Sequence, residues 1–334
     1  MTPRRFARLM SAQVETLRRE AVIDAATFSA LAGRYQTSGW NWLSLGRWLL
    51  VFGAVSVAAG VLLLAREYIE FTLEQGAFAL GAGIVASFYA SRRLAGRGLI
   101  WSCRAVELLG GLQIIGLTFV LGIIYSSGSG NWPALLLIDL VVLLPLAYVL
   151  NNVLLLILCV VVFFTWFGGV TGYSSDWGAY WFGMNYPLRF LLAGCAIAGV
   201  GIAHRVSEEG ALAPYRGFFK VWLSAGVFFG EMALWLMSVF GNFGSIDGVY
   251  RESTAELWLF NLLWAAANAV LLYVGSLYGL RMLRGYAVTF LIIQAYTVFF
   301  WHVAGELGPV LSTFVAGGAT LALVFHFERK RRNS

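Results

Sequence analysis

The 334-residue sequence predicts an all-α fold, a polytopic transmembrane helical bundle of about ten spans with a short N-terminal helical hairpin. Apolar residues make up 60% of the chain, charged residues make up only 12%, and the mean hydropathy is +0.76. A soluble domain has about 25% charged residues. The apolar residues also fall in runs of about 20, the length that crosses a bilayer as a helix. Hydrocarbon cannot hydrogen-bond an exposed backbone, so these runs must be helical.

Residues 1–45 predict a cytoplasmic amphipathic hairpin of two short helices. In the first helix the apolar side chains recur at helical spacing among arginines; they are Phe6, Leu9, Met10, Val14 and Leu17. Asp24 is the predicted N-cap of the second helix. Three interpretations of residues 5–35 stay open: a hairpin lying on the anionic inner leaflet, a docking face for a membrane or cytoplasmic protein partner, or a cap packed on the bundle.

Residues 46–327 form the predicted transmembrane domain, and residues 328–334 form a basic cytoplasmic tail. The apolar runs lie at 48–65, 73–91, 106–125, 133–150, 152–172, 187–204, 219–240, 254–280, 286–303 and 309–327. Only Asn151 and Asn152 separate the fourth run from the fifth, so we expect a tight turn between these two helices.

The distribution of Lys and Arg predicts that both termini are cytoplasmic. With the N-terminus inside, only Arg66, Arg189 and Arg251 of the 23 Lys and Arg residues fall in outer segments. Short cytoplasmic loops of membrane proteins are enriched in Lys and Arg. The same distribution accounts for the net charge of +6, so we expect membrane lipid and not nucleic acid as the partner of these residues.

Five polar side chains inside the predicted spans form a candidate intramembrane polar site: Glu231, Asp139, Asn261, Asn268 and Gln294. A polar or charged group in hydrocarbon is costly, so each is a functional candidate by default. Glu231, Asp139 and Asn261 have similar predicted depths and line one pocket if their helices are neighbours. Two interpretations stay open. One is a cation or proton site of paired carboxylates assisted by amides, and the other is hydrogen bonding that holds helices together, worth about 0.6 kcal/mol per contact.

Aromatic residues in the predicted outer loop 172–187 form a candidate outer aromatic surface. They are Trp177, Tyr180, Trp181 and Tyr186. Trp and Tyr are enriched where membrane meets water, which favours an interfacial belt. The alternative is a platform on which a sugar or a lipid head group stacks.

A series of residues runs from the predicted hairpin into the fourth span. It comprises Leu17, Val22, Ile23, Leu31, Tyr35, Gly116, Gly122, Tyr125, Gly128 and the run from Leu144 to Tyr148. Over about residues 10–205 this order resembles the bacterial DUF2157 family of predicted membrane proteins. The resemblance implies a bacterial inner-membrane protein without an assigned biochemical role. The family's polar residue and histidine beside the tyrosine of the third span are absent here, where Ile124 and Ser126 flank Tyr125.

The sequence carries no motif of an enzyme or a metal site: His-Glu-x-x-His, Gly-x-Ser-x-Gly and Cys-x-x-Cys are all absent. The three cysteines, Cys103, Cys159 and Cys195, are interpreted as small apolar side chains. We therefore expect no enzymatic activity, no cofactor and no metal. Two functions stay open. One is a non-enzymatic membrane scaffold, sensor or partner subunit. The other is a secondary transporter or channel for a small solute, a cation or a proton that uses the intramembrane carboxylates.

Overall fold

A computed structural model describes residues 72–242 except 127, 129, 177 and 179, residues 254–303, and scattered positions between 10 and 60 and between 308 and 318. The chain divides into two compact units, Met1–Gly60 and Val61–Ser334. In the first unit, residues 13–18, 26–28 and 49–57 are helical. The backbone N–H of Thr27 donates to Oδ1 of Asp24 at 2.9 Å, as expected of a helix N-cap. Most of the predicted hairpin, including most of its 5–35 face, lies outside the described residues.

The second unit is built from helices, and its described residues contain no β-strand. In chain order the α-helices are α1 (Leu73–Gly96), α2 (Ile100–Ile124), α3 (Pro133–Val149), α4 (Val153–Tyr173), α5 (Tyr186–Ser207), α6 (Phe218–Phe240), α7 (Thr254–Leu277) and α8 (Arg281–Val298). Six of them, α2 and α4 to α8, are long and apolar enough to cross a membrane, and α3 is a shorter apolar helix. The structure thus supports an all-α membrane protein with six such helices among its described residues, and the count of about ten spans stays a prediction.

Asparagines begin two of these helices. The side chain of Asn152 accepts from the N–H of Leu154 at 2.8 Å at the start of α4, and Asn185 accepts from the N–H of Leu188 at 3.0 Å at the start of α5. Such caps satisfy backbone N–H groups that have no partner inside the helix. Asn151 adopts a φ of 47°, a left-handed conformation that Asn tolerates better than most residues. The tight turn predicted between α3 and α4 is confirmed.

Two hydrogen bonds show which helix connections lie at the same end of the second unit. Asn151 Nδ2 donates to the carbonyl of Pro214 at 3.1 Å, which joins the α3–α4 turn to the α5–α6 loop. Asn185 Nδ2 donates to the carbonyl of Gly241 at 2.6 Å, which joins the start of α5 to the end of α6. We call the end with the α3–α4 and α5–α6 connections the proximal end, and the end where α6 stops and α7 starts the distal end.

Helices α5 and α6 approach each other until their backbones touch. A Cβ atom built on Gly226 of α6 would overlap the backbone N of Ala198, and one built on Gly201 of α5 would lie 2.6 Å from the backbone N of Leu223. Small residues permit such contact between membrane helices, whose association depends on packing because lipid is as apolar as their side chains. Helix α6 is therefore fixed against α5 on one side, while α7 and α8 pack against it as well.

Candidate functional site: a buried polar seam between three helices

Glu231 of α6 and Trp264 of α7 form the centre of the candidate site. Glu231 is 3% exposed and Trp264 is fully buried. The indole Nε1–H of Trp264 donates to Oε2 of Glu231 at 2.6 Å. This short bond satisfies the indole and one carboxyl oxygen, and it joins α6 to α7.

Asn268 lies one helical turn beyond Trp264, with its side chain beside the Glu231 carboxyl. Its Nδ2 donates to the backbone carbonyl of Trp264 at 3.1 Å, which fixes the orientation of the amide. Its Oδ1 is buried and has no hydrogen-bond partner in the part of the chain that the structure describes. The carboxyl of Glu231 therefore lies between the indole N–H of Trp264 and the side-chain amide of Asn268.

A second polar layer joins α6, α7 and α8 nearer the distal end. Gln294 Nε2 donates to the backbone carbonyl of Asn261 at 2.7 Å. Asn261 Nδ2 donates to the backbone carbonyls of Ser238 at 3.2 Å and Leu257 at 2.9 Å. The Oδ1 of Asn261 is buried, again without a hydrogen-bond partner among the described residues. The three predicted amides thus lie on one side of the bundle with Glu231.

A third layer lies at the distal end itself. The backbone N–H of Asn242 donates to the carboxylate of Glu256, and the backbone N–H of Asn185 donates to Oδ1 of Asn242 at 2.7 Å. Sequence reasoning did not select these residues, because they flank a polar loop and look like ordinary loop residues there. A signal was available: Asn242 and Glu256 bracket the connection between the two helices that carry Glu231 and Asn261.

Together these three layers form what we call the polar seam: Glu256, Asn242, Ser238, Asn261, Gln294, Asn268 and Glu231. All seven are buried. On α7 alone the seam runs from Glu256 to Asn268, a separation of twelve positions or about 18 Å at 1.5 Å per residue. The seam therefore leads from the distal end to a depth of roughly half a bilayer.

An apolar plug closes the proximal side of the seam. It comprises the buried residues Phe219, Leu223, Val227 and Leu283, against which Leu271, Val274, Leu280 and Met282 pack. The polar pair at this level, Ser224 Oγ and Tyr286 OH, is 2.7 Å apart and satisfies itself. The polar path that begins at Glu256 thus stops near Glu231.

Asp139 does not join this arrangement. It is fully buried in α3, a helix that packs mainly against α4 and α2. Thr118 of α2 lies beside it, but the Thr118 hydroxyl donates to the carbonyl of Ile114 at 3.1 Å, and both Asp139 oxygens lack a hydrogen-bond partner within the described ranges. No hydrogen bond or ion pair among those residues joins Asp139 to the seam. Depth along a span says nothing about which way a residue faces, and this is why the shared pocket expected of Glu231 and Asp139 is not seen.

No protein-family model, curated protein or solved structure matches this chain. The candidate site is therefore interpreted from its geometry.

The predicted outer aromatic surface is divided between separate contacts. Trp181 pairs with Met184 through backbone hydrogen bonds of 2.9 and 3.0 Å, and its ring packs edge-on against Phe182 at 4.8 Å. Tyr186 lies under the guanidinium of Arg189, 4.4 Å from its ring centre. Tyr180 is half-buried, and Trp177 lies outside the described residues. The residue that sequence reasoning missed is Phe182, which is 84% exposed at the tip of this turn.

A second polar cluster fixes the proximal start of α6. Glu208 Oε1 accepts from the backbone N–H groups of Gly217 at 3.0 Å and Phe219 at 3.3 Å, and it lies 3.1 Å from Nδ1 of His204. A carboxylate at a helix N-terminus is favourable because free N–H groups point toward it. The helix that carries Glu231 is thus tied at its first turn to the α5–α6 loop.

Proposed function

We propose that the protein is a non-enzymatic membrane sensor, or the sensing subunit of a larger membrane assembly, whose input is the polar seam. One observation supports this most directly: the seam is polar on its distal side and ends at Glu231 against the apolar plug. Helices α6 and α7 run unbroken past this point. Transporter sites are typically formed by interrupted helices whose free ends bind the substrate. A polar path that opens at one end only and stops at a single carboxyl group suits a sensor that binds a ligand better than a transporter that moves one across the membrane.

The orientation of the seam follows from the basic residues. Arg97, Arg104, Arg205, Arg216, Lys220, Arg281 and Arg284 flank the proximal connections, whereas Arg189 lies near the distal start of α5. By the positive-inside rule the proximal end is cytoplasmic and the seam opens outward. Both termini are then cytoplasmic in a protein of about ten spans. The resemblance to the DUF2157 family adds the bacterial inner membrane as its location.

Helix α6 connects the polar seam to the α5–α6 loop. Glu231 lies in its middle, and Glu208 holds its first turn to the cytoplasmic α5–α6 loop. A change of charge at Glu231 alters its bond to Trp264 and so the packing of α6 against α7. A cytoplasmic partner binds the α5–α6 loop, alone or together with residues 5–35, and its binding responds to this change in packing.

A spin label at the exposed Glu209 of this loop tests the proposal. Glu209→Cys is labelled on a Cys195→Ala background in lipid nanodiscs, and label mobility is followed as pH and sodium concentration are varied. We expect a reversible change in mobility that Glu231→Gln abolishes. Asp139→Asn is the matched control, because Asp139 is a buried acid outside the seam, and it should retain the response.

Flux measurements distinguish the second candidate, a transporter or channel for a small cation or proton. Wild-type protein in proteoliposomes is compared with Glu231→Gln and with empty vesicles under proton and sodium gradients. A sensor gives the flux of empty vesicles in both cases. Flux that depends on Glu231, without a response of the spin label, would replace the sensor by a transporter.

A further inference from the structure

We propose that helix α1 carries a binding site for an anionic phospholipid of the cytoplasmic leaflet. One acyl chain lies along an apolar groove on the exposed face of α1, and the phosphate group binds the guanidinium of Arg93 at the proximal end of that groove. Helix α1 (Leu73–Gly96) corresponds to the second predicted apolar run, at 73–91. The site shares no residue with the polar seam, so it stands or falls independently of the proposed sensor.

Six residues line the groove, which we call the α1 groove: Phe78, Gly81, Ala82, Val85, Ala86 and Tyr89. Their spacing of three and four positions places them on one face of the helix. Phe78 is 80% exposed and Val85 is 71% exposed, whereas a Cβ atom built on Gly81 would meet open space. The groove has a volume of about 630 Å³, which is within the range of about 300–1,000 Å³ found for ligand pockets. Large side chains thus border a shallow floor of small ones, a shape that suits an extended hydrocarbon chain.

The opposite face of α1 packs on α2. A Cβ atom built on Gly83 would lie 2.8 Å from Nε2 of Gln113, and the hydroxyl of Ser87 donates to Oε1 of Gln113 at 3.0 Å. Phe88 contacts α2 at Gly110, where an added Cβ atom would lie 3.0 Å from its ring. These contacts fix the rotation of α1 about its own axis, and the α1 groove therefore faces away from α2.

The length and direction of the α1 groove match one leaflet of a bilayer. From Phe78 to Tyr89 the helix advances eleven positions, about 16.5 Å at 1.5 Å per residue, and half of a hydrocarbon core of about 30 Å is about 15 Å. Asn152 Nδ2 donates to the carbonyl of Arg104 at 3.0 Å, so the start of α2 lies at the proximal end with the α3–α4 turn. Because α1 leads directly into α2, Arg93 also lies at that end, which the positive-inside rule makes cytoplasmic.

Arg93 is placed to bind a phosphate at the end of the groove. Its Nη2 and Nε donate to the hydroxyl of Tyr89 at 2.6 and 3.1 Å, which holds the guanidinium beside the last residue of the groove. Arg97 follows Arg93 by one helical turn, and the sequence between Glu74 and Glu107 contains no acid. A guanidinium binds phosphate oxygens through parallel charge-assisted hydrogen bonds. The N–H groups that Tyr89 does not engage therefore suit the phosphate of a lipid whose acyl chain lies in the groove.

A second copy of this chain fits the α1 groove less well than an anionic lipid does. The positive-inside rule gives every copy the same orientation, so two α1 helices that packed groove to groove would run parallel. Arg93 of one copy would then lie at the same depth as Arg93 of the other, with Arg92 and Arg97 beside both. Like charges repel, and the acid of α1, Glu74, lies in the first turn at the other end of the helix. An anionic head group supplies the negative charge that this end of the groove lacks.

Photo-crosslinking of the full-length protein in nanodiscs tests the proposal. The probe is phosphatidylglycerol with a diazirine in one acyl chain, and the reference is phosphatidylcholine with the same chain, each added in a small amount to phosphatidylcholine nanodiscs. Peptide mass spectrometry then locates the label. We expect phosphatidylglycerol to label the α1 groove about fivefold more than phosphatidylcholine does, the factor that one arginine contributes near an anionic surface. Leu262, which is 66% exposed on α7, should be labelled equally by both lipids.

Variants separate the phosphate contact and the groove from the bulk charge. Arg93→Gln should remove the preference for phosphatidylglycerol, whereas Arg281→Gln, which changes an exposed arginine at the proximal start of α8, should keep it. Tyr89→Phe removes the hydroxyl that holds Arg93 and should lower the preference by a smaller factor. Ala82→Leu combined with Ala86→Leu fills the floor of the groove and should remove the labelling of α1 by both lipids.

Three results would overturn the proposal, and each is compared with Leu262, whose labelling stays at the wild-type level in a folded variant. Equal labelling of the α1 groove by the two lipids would show only the ordinary lipid that surrounds any membrane protein. Labelling of Leu262 without labelling of the groove would show that another helix covers α1. A loss in Arg281→Gln as large as that in Arg93→Gln would assign the preference to the bulk charge of the cytoplasmic end. Each of these results removes the lipid site and leaves the spin-label test of the polar seam unaffected.

Discussion

The polar seam and the surroundings of Asp139 each bury a carboxylic acid, but only the seam provides the acid with hydrogen-bond partners. Glu231 receives the indole N–H of Trp264 at 2.6 Å and lies next to Asn268. Asp139 is equally buried, yet neither of its oxygens has a hydrogen-bond partner within the residues described. One acid is part of a network over three helices, and the other has no hydrogen-bond partner among the described residues.

This difference shows that burial depth alone does not identify a functional acid. A buried polar group stabilises a structure only when its partners are present, and without them it is a cost. The acid with partners and a polar route to one end is the candidate input. Burial of Asp139 costs free energy, and the described contacts include no hydrogen bond to its carboxyl oxygens that offsets this cost. Substitutions at the two positions should therefore change stability with opposite sign.

The largest effect is expected for Glu231→Ala. The change leaves the fully buried Trp264 N–H without an acceptor and opens a cavity between α6 and α7. The expected loss is about 3–5 kcal/mol. Unfolding by SDS in mixed micelles, followed by circular dichroism, measures it. Glu231→Gln is the control, since its amide oxygen accepts the same N–H bond, and a loss as large as that of the alanine variant would contradict this explanation.

The next effect, with the opposite sign, is expected for Asp139→Ala. Removing two buried oxygens that have no partner eliminates a desolvation penalty, and alanine is small enough to avoid overpacking. We expect a gain of about 1–2 kcal/mol in the same unfolding measurement. A loss of stability would show that Asp139 has a partner that matters, and it would remove the contrast between the two acids.

Trp264→Phe should have a smaller effect than either. Phenylalanine fills much of the indole space but has no N–H, so the Glu231 oxygen loses its donor while the packing against Phe290 is largely kept. The expected loss is about 1 kcal/mol, within the range measured for hydrogen bonds between membrane helices. In a double-mutant cycle with Glu231→Ala the two changes should not add, because each of them removes the same hydrogen bond. Additive losses would place the effect of Trp264 in packing alone.

Much of the fold follows from the sequence, because the length of an apolar run is set by bilayer thickness. The predicted runs at 187–204 and 219–240 correspond to α5 (Tyr186–Ser207) and α6 (Phe218–Phe240), with differences of three residues or fewer at their ends. The run at 309–327 lies largely outside the described residues, and the run at 48–65 is described only at residues 49–57 and 60. The count of spans therefore rests on the sequence at both ends of the chain.

The grouping of the site was harder to predict than its members. Sequence reasoning found four residues of the seam because each is a polar group in an apolar run, which is a local signal. It also grouped Asp139 with them, because depth is readable from sequence but helix neighbours are not. Gly226 and Gly201 decide that α5 lies against α6, and this close approach depends on the facing helix and not on either glycine alone.

The smallest effect, and the finest test of the comparison, is expected for Gln294→Leu. Gln294 donates one hydrogen bond, at 2.7 Å, to the backbone carbonyl of Asn261, which as a helical carbonyl also has its own partner along α7. Leucine is apolar and of similar length, so the loss should be about 0.6 kcal/mol, the average for such contacts in membranes. A Gln294→Leu variant that unfolds as readily as Glu231→Ala would mean that the seam is a single cooperative network, and the distinction between the Glu231–Trp264 bond and the layer of Gln294 and Asn261 would no longer hold.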